Sequence, residues 1–283
     1  MKLADLELIS NLVHRRTGIV LGRQKDYLID TRLAPVARLF GYLSVEQLVQ
    51  TIRIGDQPAE DAAVEAMTTN ETLFFRDKIP FDNIKTIVIP SLLKKRVAGQ
   101  PLRIWCAACS SGQEPYSLSI LLDEMGLGIN QASILATDFS HGMIKRAKAG
   151  IFSQFEIQRG LTTPLLNKYF TQDGQVWRIN PRLGERIEFK QVNMLDDFKY
   201  LGNFDVIFCR NLLIYFDEQR KKDVISRLKK TLSYDGYLFL GAAETVLGLT
   251  KEVVPHAIAK SVYVHAGSAE AQPSPYSLYA NAG

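Results

Sequence analysis

Apolar residues over positions 1–66 recur at helical spacing: Leu6, Ile9, Leu12 and Val13 form one stripe, and Ile29, Leu33, Val36 and Phe40 a second. The segment therefore reads as an all-helical N-terminal domain. Ser44 with Gln47 matches a capping box ahead of Leu48 and Val49, Gly41 suits a helix stop, and Pro35 predicts a kink or break inside the second stripe. From about residue 100 the pattern changes to short β-rich runs at 102–106, 133–137, 187–192, 204–209, 237–240 and 261–264, separated by helix-length amphipathic stretches. Such alternation predicts an α/β domain, a parallel sheet with helices on its faces. The clearest helix is 217–232, where Val224, Ile225, Leu228 and Leu232 share one face.

One stretch breaks the alternation. Residues 169–179 place Asp173-Gly174 between two β-prone arms, which predicts a hairpin and, with its flanks, a small antiparallel insertion over about 165–192. Residues 268–283 are small, polar and Pro-containing and read as a disordered tail. The expected division is thus a helical domain over 1–66, an α/β domain over 67–267 and the tail.

Composition narrows the class of molecule. Apolar residues at 46% and charged residues at 23% are ordinary for a globular chain, and no apolar run nears the roughly 18 residues that span a bilayer. The first ten residues carry acids where a signal peptide would be apolar, so a cytoplasmic protein with no membrane insertion is expected. A balance of 34 basic to 30 acidic side chains permits an acidic partner but falls short of a nucleic-acid-binding surface. Cys106, Cys109 and Cys209 are an odd count, which argues against a disulfide framework, and the four histidines show no ligand spacing, which argues against a metal.

In an open parallel sheet, ligands bind beyond the carboxyl ends of the strands, so polar residues at the strand exits are the candidates. After the first strand, AACSSGQEPYS holds Gly112, Glu114 and an early-helix Pro115. One glycine in place of three disfavours a pyrophosphate-bearing cofactor and, with it, a nicotinamide oxidoreductase. Glu114 is either a ligand acid or a helix-start carboxylate, and the Cys106–Cys109 pair reads as small-residue packing. Asp138, after the second strand, suits either a ribose or a helix cap. Asn193 and Met194 follow the third strand, and Arg210, Asn211 and Tyr215 the fourth. The segment 67–76, MTTNETLFFR, is either a linker helix burying Phe74 and Phe75 or a lid offering Asn70, Thr72 and Arg76.

In this order TTNETLFFR, AACSSGQEPYS, ATDFS and DVIFCRNLLIYF resemble the CheR-type methyltransferases, which esterify glutamates of bacterial chemoreceptors with S-adenosylmethionine. The resemblance covers about residues 2–265. It departs from the family in the cysteines of the glycine turn and in Gln113, where an acid is frequent. It implies a Rossmann-like class I methyltransferase domain with a small antiparallel β insertion, preceded by an all-helical N-terminal domain. It places cofactor contacts on Asn70, Thr72, Arg76, Glu114, Asp138, Asn193, Met194, Arg210 and Asn211. Among these, Glu114 would meet the methionine amino group, Asp138 the ribose, and Arg76 the polar end of the methionine or the target carboxylate. Arg76 and Tyr215 would be the catalytic, orienting groups, with S-adenosylhomocysteine as product and no metal. A catalytically silent nucleotide sensor is the rival reading, and the intact residue set argues against it.

A cytoplasmic protein is expected, with monomer the default and the oligomeric state open, and the resemblance implies recruitment to membrane receptor arrays. Its N-terminal domain would dock on acidic methylation helices of chemoreceptors, through Arg15, Arg16, Arg23, Lys25, Arg32 and Arg38. Some family members tether themselves by adding a receptor's C-terminal pentapeptide to the small sheet, and those carry a longer, glycine-containing loop between the arms. Here TQDGQ at 171–175 leaves no spare loop, so independence of such a tether is expected.

Overall fold

A computed structural model describes residues 1–22, 26–97 and 99–271. Four helices, α1 (Leu3–Thr17), α2 (Asp26–Leu39), α3 (Val45–Arg53) and α4 (Gln57–Ala66), form the N-terminal domain. Ser44 caps α3 by accepting from Gln47 N, while Gln47 Oε1 reaches back to Leu43 N rather than to the cap residue. Contrary to the expected break, α2 runs through Pro35. Leu33, Val36 and Ala37 are buried on either side of it, and their packing holds the helix where one missing backbone bond would otherwise end it.

The chain continues through α5 (Ile79–Asn83), a π-helical turn Ile84–Val88 and α6 (Ile89–Lys95) into β1 (Leu102–Ala107), α7 (Gln113–Glu124), β2 (Ala132–Asp138) and α8 (His141–Ala149). Next come β3 (Ile151–Ser153), α9 (Gln154–Gln158), α10 (Thr163–Tyr169), β4 (Phe170–Asp173), β5 (Val176–Ile179) and α11 (Pro181–Gly184). The last elements are β6 (Ile187–Gln191), β7 (Phe204–Cys209), α12 (Glu218–Thr231), β8 (Leu232–Leu240), β9 (Val253–Pro255) and β10 (Val262–His265). The main sheet has the order β6-β2-β1-β7-β8-β10-β9, parallel from β6 to β8. β10 and β9 are antiparallel, correcting the expectation that the sixth run would extend the parallel sheet and adding a strand the pattern did not announce. No helix intervenes between β8 and β10 to carry the chain back for a parallel return.

β7 is buried along its whole length. Val206 and Phe208 join a core with Ile104, Cys106, Phe239 and α7, whereas Ile207 and Cys209 join Trp105, Leu238 and α12 on the opposite face. That second core also contains Ile9, Leu33, Leu48 and Val64, so the helical domain packs onto the sheet as part of one apolar interior. The direction of winding reverses between β1 and β7, the place where such sheets bind ligands.

The insertion is a three-stranded sheet, β3-β5-β4, and so begins at Ile151 rather than near 165. Its hairpin turn is Gly174–Gln175, one residue later than the Asp173-Gly174 pair suggested, with Gly174 in the left-handed region at φ +60°. Of the tail expected from 268, residues 268–271 are packed: Glu270 accepts from Ser91 and Lys95, and Ala271 bridges His256. The remainder, 272–283, lies outside the described residues, as do Arg23 and Lys25. Among the described residues no helix is long and apolar enough to cross a membrane.

Candidate active site

At the β1 exit the chain turns through Ala108 (φ +65°), Ser110 (φ +50°) and Gly112 (φ +98°) into α7. A Cβ on Gly112 would stand 3.0 Å from the Ala147 Cβ, so the turn approaches α8 as only glycine permits. Asp138, ending β2, binds this turn: its Oδ2 accepts from Ser110 N and its Oδ1 from Ser140 N, both at 2.8 Å. The cap of α8 is Ser140, not Asp138, which settles one alternative left open by the sequence. Burial pushes the Asp138 carboxyl up against the lowering effect of its backbone partners. Each oxygen keeps lone-pair capacity for a further donor.

The β7 exit is organised by Arg210, whose side chain is 2% exposed. Its Nη1 donates to Glu114 Oε2 at 2.9 Å, and its Nη2 donates to Asp77 Oδ2 at 2.7 Å and to the Arg76 carbonyl at 2.9 Å. One guanidinium thus joins strand β7, the start of α7 and the interdomain linker. Glu114 is pushed up by burial and pulled back by Arg210. Asn211, left-handed at φ +59°, and the turn leading to Tyr215 are held by Glu244, which accepts from Asn211 N, Ile214 N and Gly241 N.

The linker is not the helix considered above. Thr69–Leu73 is irregular and the following residues turn tightly. Phe74 is buried between Phe152 and Phe170, with ring centroids at 4.9 and 5.5 Å, while Phe75 is half-buried against Phe81. Asn70 is fixed by its carbonyl, which accepts from Ser110 Oγ at 2.8 Å. Arg76 donates to the Glu71 carbonyl at 3.0 Å and keeps further N–H groups. Both linker readings therefore contain part of the answer: a phenylalanine anchors the segment and its polar residues face the site.

All ten candidate residues, from Asn70, Thr72 and Arg76 through Glu114, Asp138, Asn193 and Met194 to Arg210, Asn211 and Tyr215, line one cleft of about 910 Å³ counted out to open solvent. Asn193 differs from expectation in its role. Its Nδ2 donates to the Arg16 carbonyl at 2.7 Å and its Oδ1 accepts from Leu195 N at 3.0 Å, so the amide ties the two domains together, and Met194 and Val192 form the apolar wall there. Arg16 and Arg32 are likewise engaged. Arg16 pairs with Glu60 and Asp61, and Arg32 donates to the Met67 and Thr68 carbonyls, so both already have partners within the chain. Arg15 and Arg38 are exposed.

Sequence reasoning missed Thr17 and Ile19, which line the cleft from the helical domain, with Val20 N donating to the Tyr215 carbonyl at 2.8 Å. Nothing local announces them. It also missed Glu244, which a strand-exit reading of β8 would have caught. The three thiols are buried and pushed well above the ordinary range by burial, as packing residues would be. Among the described residues no group of three or more His, Cys, Asp or Glu is arranged to hold a metal ion.

Compared with known proteins, the family model "CheR methyltransferase, SAM binding domain" matches residues 70–261, and "CheR methyltransferase, all-alpha domain" matches residues 4–68. The chain is 45% identical over 252 residues to chemotaxis protein methyltransferase 1 of Pseudomonas aeruginosa, covering 87% of this chain and 92% of that one. To chemotaxis protein methyltransferase Cher2 of Pseudomonas putida it is 44% identical over 254 residues, covering 87% and 91%. To the chemotaxis protein methyltransferase of Salmonella typhimurium it is 33% identical over 259 residues, covering 88% and 86%.

Proposed function

Because the chain belongs to the CheR methyltransferase family through both its all-helical and its SAM-binding domain, we propose that it transfers the methyl group of S-adenosylmethionine to glutamate side chains of chemoreceptors as methyl esters. The observation that carries this reading is the meeting, in one cleft, of a buried and a largely buried carboxylate with lone pairs to spare and an arginine with donors to spare.

The residues suit the cofactor. Asp138 can accept a ribose hydroxyl on each oxygen, Glu114 can accept from the methionine ammonium on the oxygen that Arg210 leaves free, and Met194 with Val192 offers an apolar wall to adenine. When bound, S-adenosylmethionine supplies a methyl group on a positively charged sulfur. Asn70 and Thr72 close the cleft from the linker side, and Asn211 borders it at the β7 exit.

A glutamate, with a pKa of about 4.3, is ionised at neutral pH, so no side chain has to remove a proton. What the protein must do is hold the carboxylate in line with the methyl and keep water away. Arg76 is placed to orient it by charge, and Tyr215 by its half-buried ring at the mouth. Such positioning can supply about 7 kcal/mol or more of a barrier.

The receptor's acidic methylation helices dock on the helical domain, with Arg15 and Arg38 as the exposed cations that attract them. Recognition proceeds without a receptor pentapeptide, since the hairpin of the small sheet closes in the two residues Gly174–Gln175. The enzyme works as a cytoplasmic monomer recruited to receptor arrays.

Transfer of labelled methyl groups to chemoreceptor-bearing membranes tests the reading. Mild alkali should release the label as volatile methanol. Label that survives alkali would refute the ester, and absence of transfer by protein that binds S-adenosylhomocysteine would refute the receptor substrate.

A further inference from the structure

We propose that Asp77 is a positioning residue for the transfer step: together with Arg210 it holds the strained turn that presents Arg76 to the cleft. The inference rests on the reading of the site given above and adds to it a residue that does not line the cofactor cleft. Asp77 faces the other side of the turn, in a groove formed with Phe81, Leu121 and Leu165.

Three of the four residues from Phe75 to Lys78 have positive φ without being glycine: Phe75 at φ +48°, Asp77 at +67° and Lys78 at +42°. Each such residue is disfavoured, and the arrangement persists only where its surroundings over-determine it. Arg76 stands in the middle of this turn, so its direction depends on what holds the turn.

The restraints can be enumerated. Phe75 N donates to Ser117 Oγ at 2.9 Å, and Lys78 N donates to the Phe75 carbonyl at 3.0 Å. The Phe74 carbonyl lies against Gly160, where a Cβ would come within 1.8 Å of the oxygen. Arg76 itself donates to the Glu71 carbonyl at 3.0 Å, and Ile79 N donates to the Asp77 carbonyl. The ionic restraint is the Arg210 guanidinium, which takes the Arg76 carbonyl and the Asp77 carboxylate with the same Nη2. Asp77 is itself 40% exposed, but its partner is buried and fixed from the opposite side by Glu114. Without a side-chain acceptor at position 77, that nitrogen keeps only the Arg76 carbonyl, and without the charge the turn loses an ionic anchor. Glu114 keeps Arg210 in either case. Cofactor binding should therefore be spared while the orientation of Arg76 suffers.

Two substitutions remove the charge with different consequences for hydrogen bonding and backbone. Asp77→Asn keeps an acceptor oxygen and a residue that tolerates positive φ, whereas Asp77→Gly removes the acceptor as well and relieves the backbone. Methyl transfer to chemoreceptor-bearing membranes, calorimetry with S-adenosylhomocysteine and melting curves are measured on the full chain. Both variants should lose at least about tenfold in kcat, in keeping with the cost of a small misplacement of a reacting group, while S-adenosylhomocysteine affinity stays within about threefold. In an Arg76→Ala background, Asp77→Asn should cost less than about twofold more, because the two residues act through one contact.

Parent-level kcat in either Asp77 variant would overturn the proposal. So would a loss that persists undiminished in the Arg76→Ala background, or affinity that falls in step with kcat. Failure of the underlying reading looks different: the parent itself would transfer no methyl to glutamate, and both inferences would then fall together.

Discussion

Replacing Asp138 by asparagine keeps the side-chain shape and turns one of two acceptors into a donor. In the structure both oxygens face backbone N–H groups at 2.8 Å, from Ser110 and from Ser140, so the amide nitrogen must oppose one of them. That orphaned N–H costs about 1–3 kcal/mol in free and liganded protein alike, and so appears in stability rather than affinity. Part of it is offset, because burial disfavours the Asp138 charge, and removing the charge removes that penalty. A fall of a few degrees in melting temperature is expected, at roughly 2–4 °C per kcal/mol for a chain of this size.

Affinity is set by the ribose. One charge-assisted hydrogen bond lost from a buried acceptor is worth about 1.5–3 kcal/mol, or roughly 10- to 150-fold in the dissociation constant of S-adenosylhomocysteine. Asp138→Ala removes both acceptors and should bind more weakly still. Calorimetry near neutral pH reads both variants against the parent. Affinity within twofold of the parent in both, with the fold intact, would show that Asp138 serves only the Ser110 and Ser140 turns and would refute its assignment to the cofactor.

The acid side of the pH scale tests the same carboxylates together. Burial raises Asp138 and Glu114, and the ionised forms are the acceptors, so S-adenosylhomocysteine affinity should fall with decreasing pH, with a midpoint above the roughly 3.9–4.3 of free carboxylic acids; affinity unchanged down to about pH 4 would contradict this. Arg15→Glu with Arg38→Glu should slow receptor methylation in a salt-dependent way and leave cofactor affinity alone, and equal rates at low salt would remove these arginines from docking. Arg32→Ala should behave differently, lowering the melting temperature and S-adenosylhomocysteine affinity, because its bonds to the Met67 and Thr68 carbonyls hold the linker that carries Asn70; a loss confined to receptor methylation would reinstate it as a docking residue. Titration with a receptor C-terminal pentapeptide should show no binding, and a low-micromolar dissociation constant would overturn the hairpin argument.

Periodicity was enough to read the N-terminal domain as helical, with the stripes of α1 and α2 and the start of α3, and to place the parallel strands and α12, because the spacing of apolar residues reports directly which face an element buries. The rule that ligands sit beyond parallel strand ends was enough to select Glu114, Asp138, Arg210 and Tyr215, which the structure brings to one cleft. Other features have no local signature. The positive-φ turn at Phe75–Lys78 contains no glycine and is braced by distant groups, among them Ser117, Gly160 and Arg210, the last 133 positions beyond Asp77. The Asn193 amide and the Arg32 guanidinium read as free functional groups in sequence, and interdomain packing engages both. Thr17 and Ile19 reach the cleft only because the helical domain shares a core with the sheet. Burial pattern is written in neighbouring residues, whereas the partner of a charge or an amide is chosen by whichever distant group the tertiary fold places within about 3 Å, so the sequence by itself determined the elements and the tertiary structure decided what each polar side chain is for.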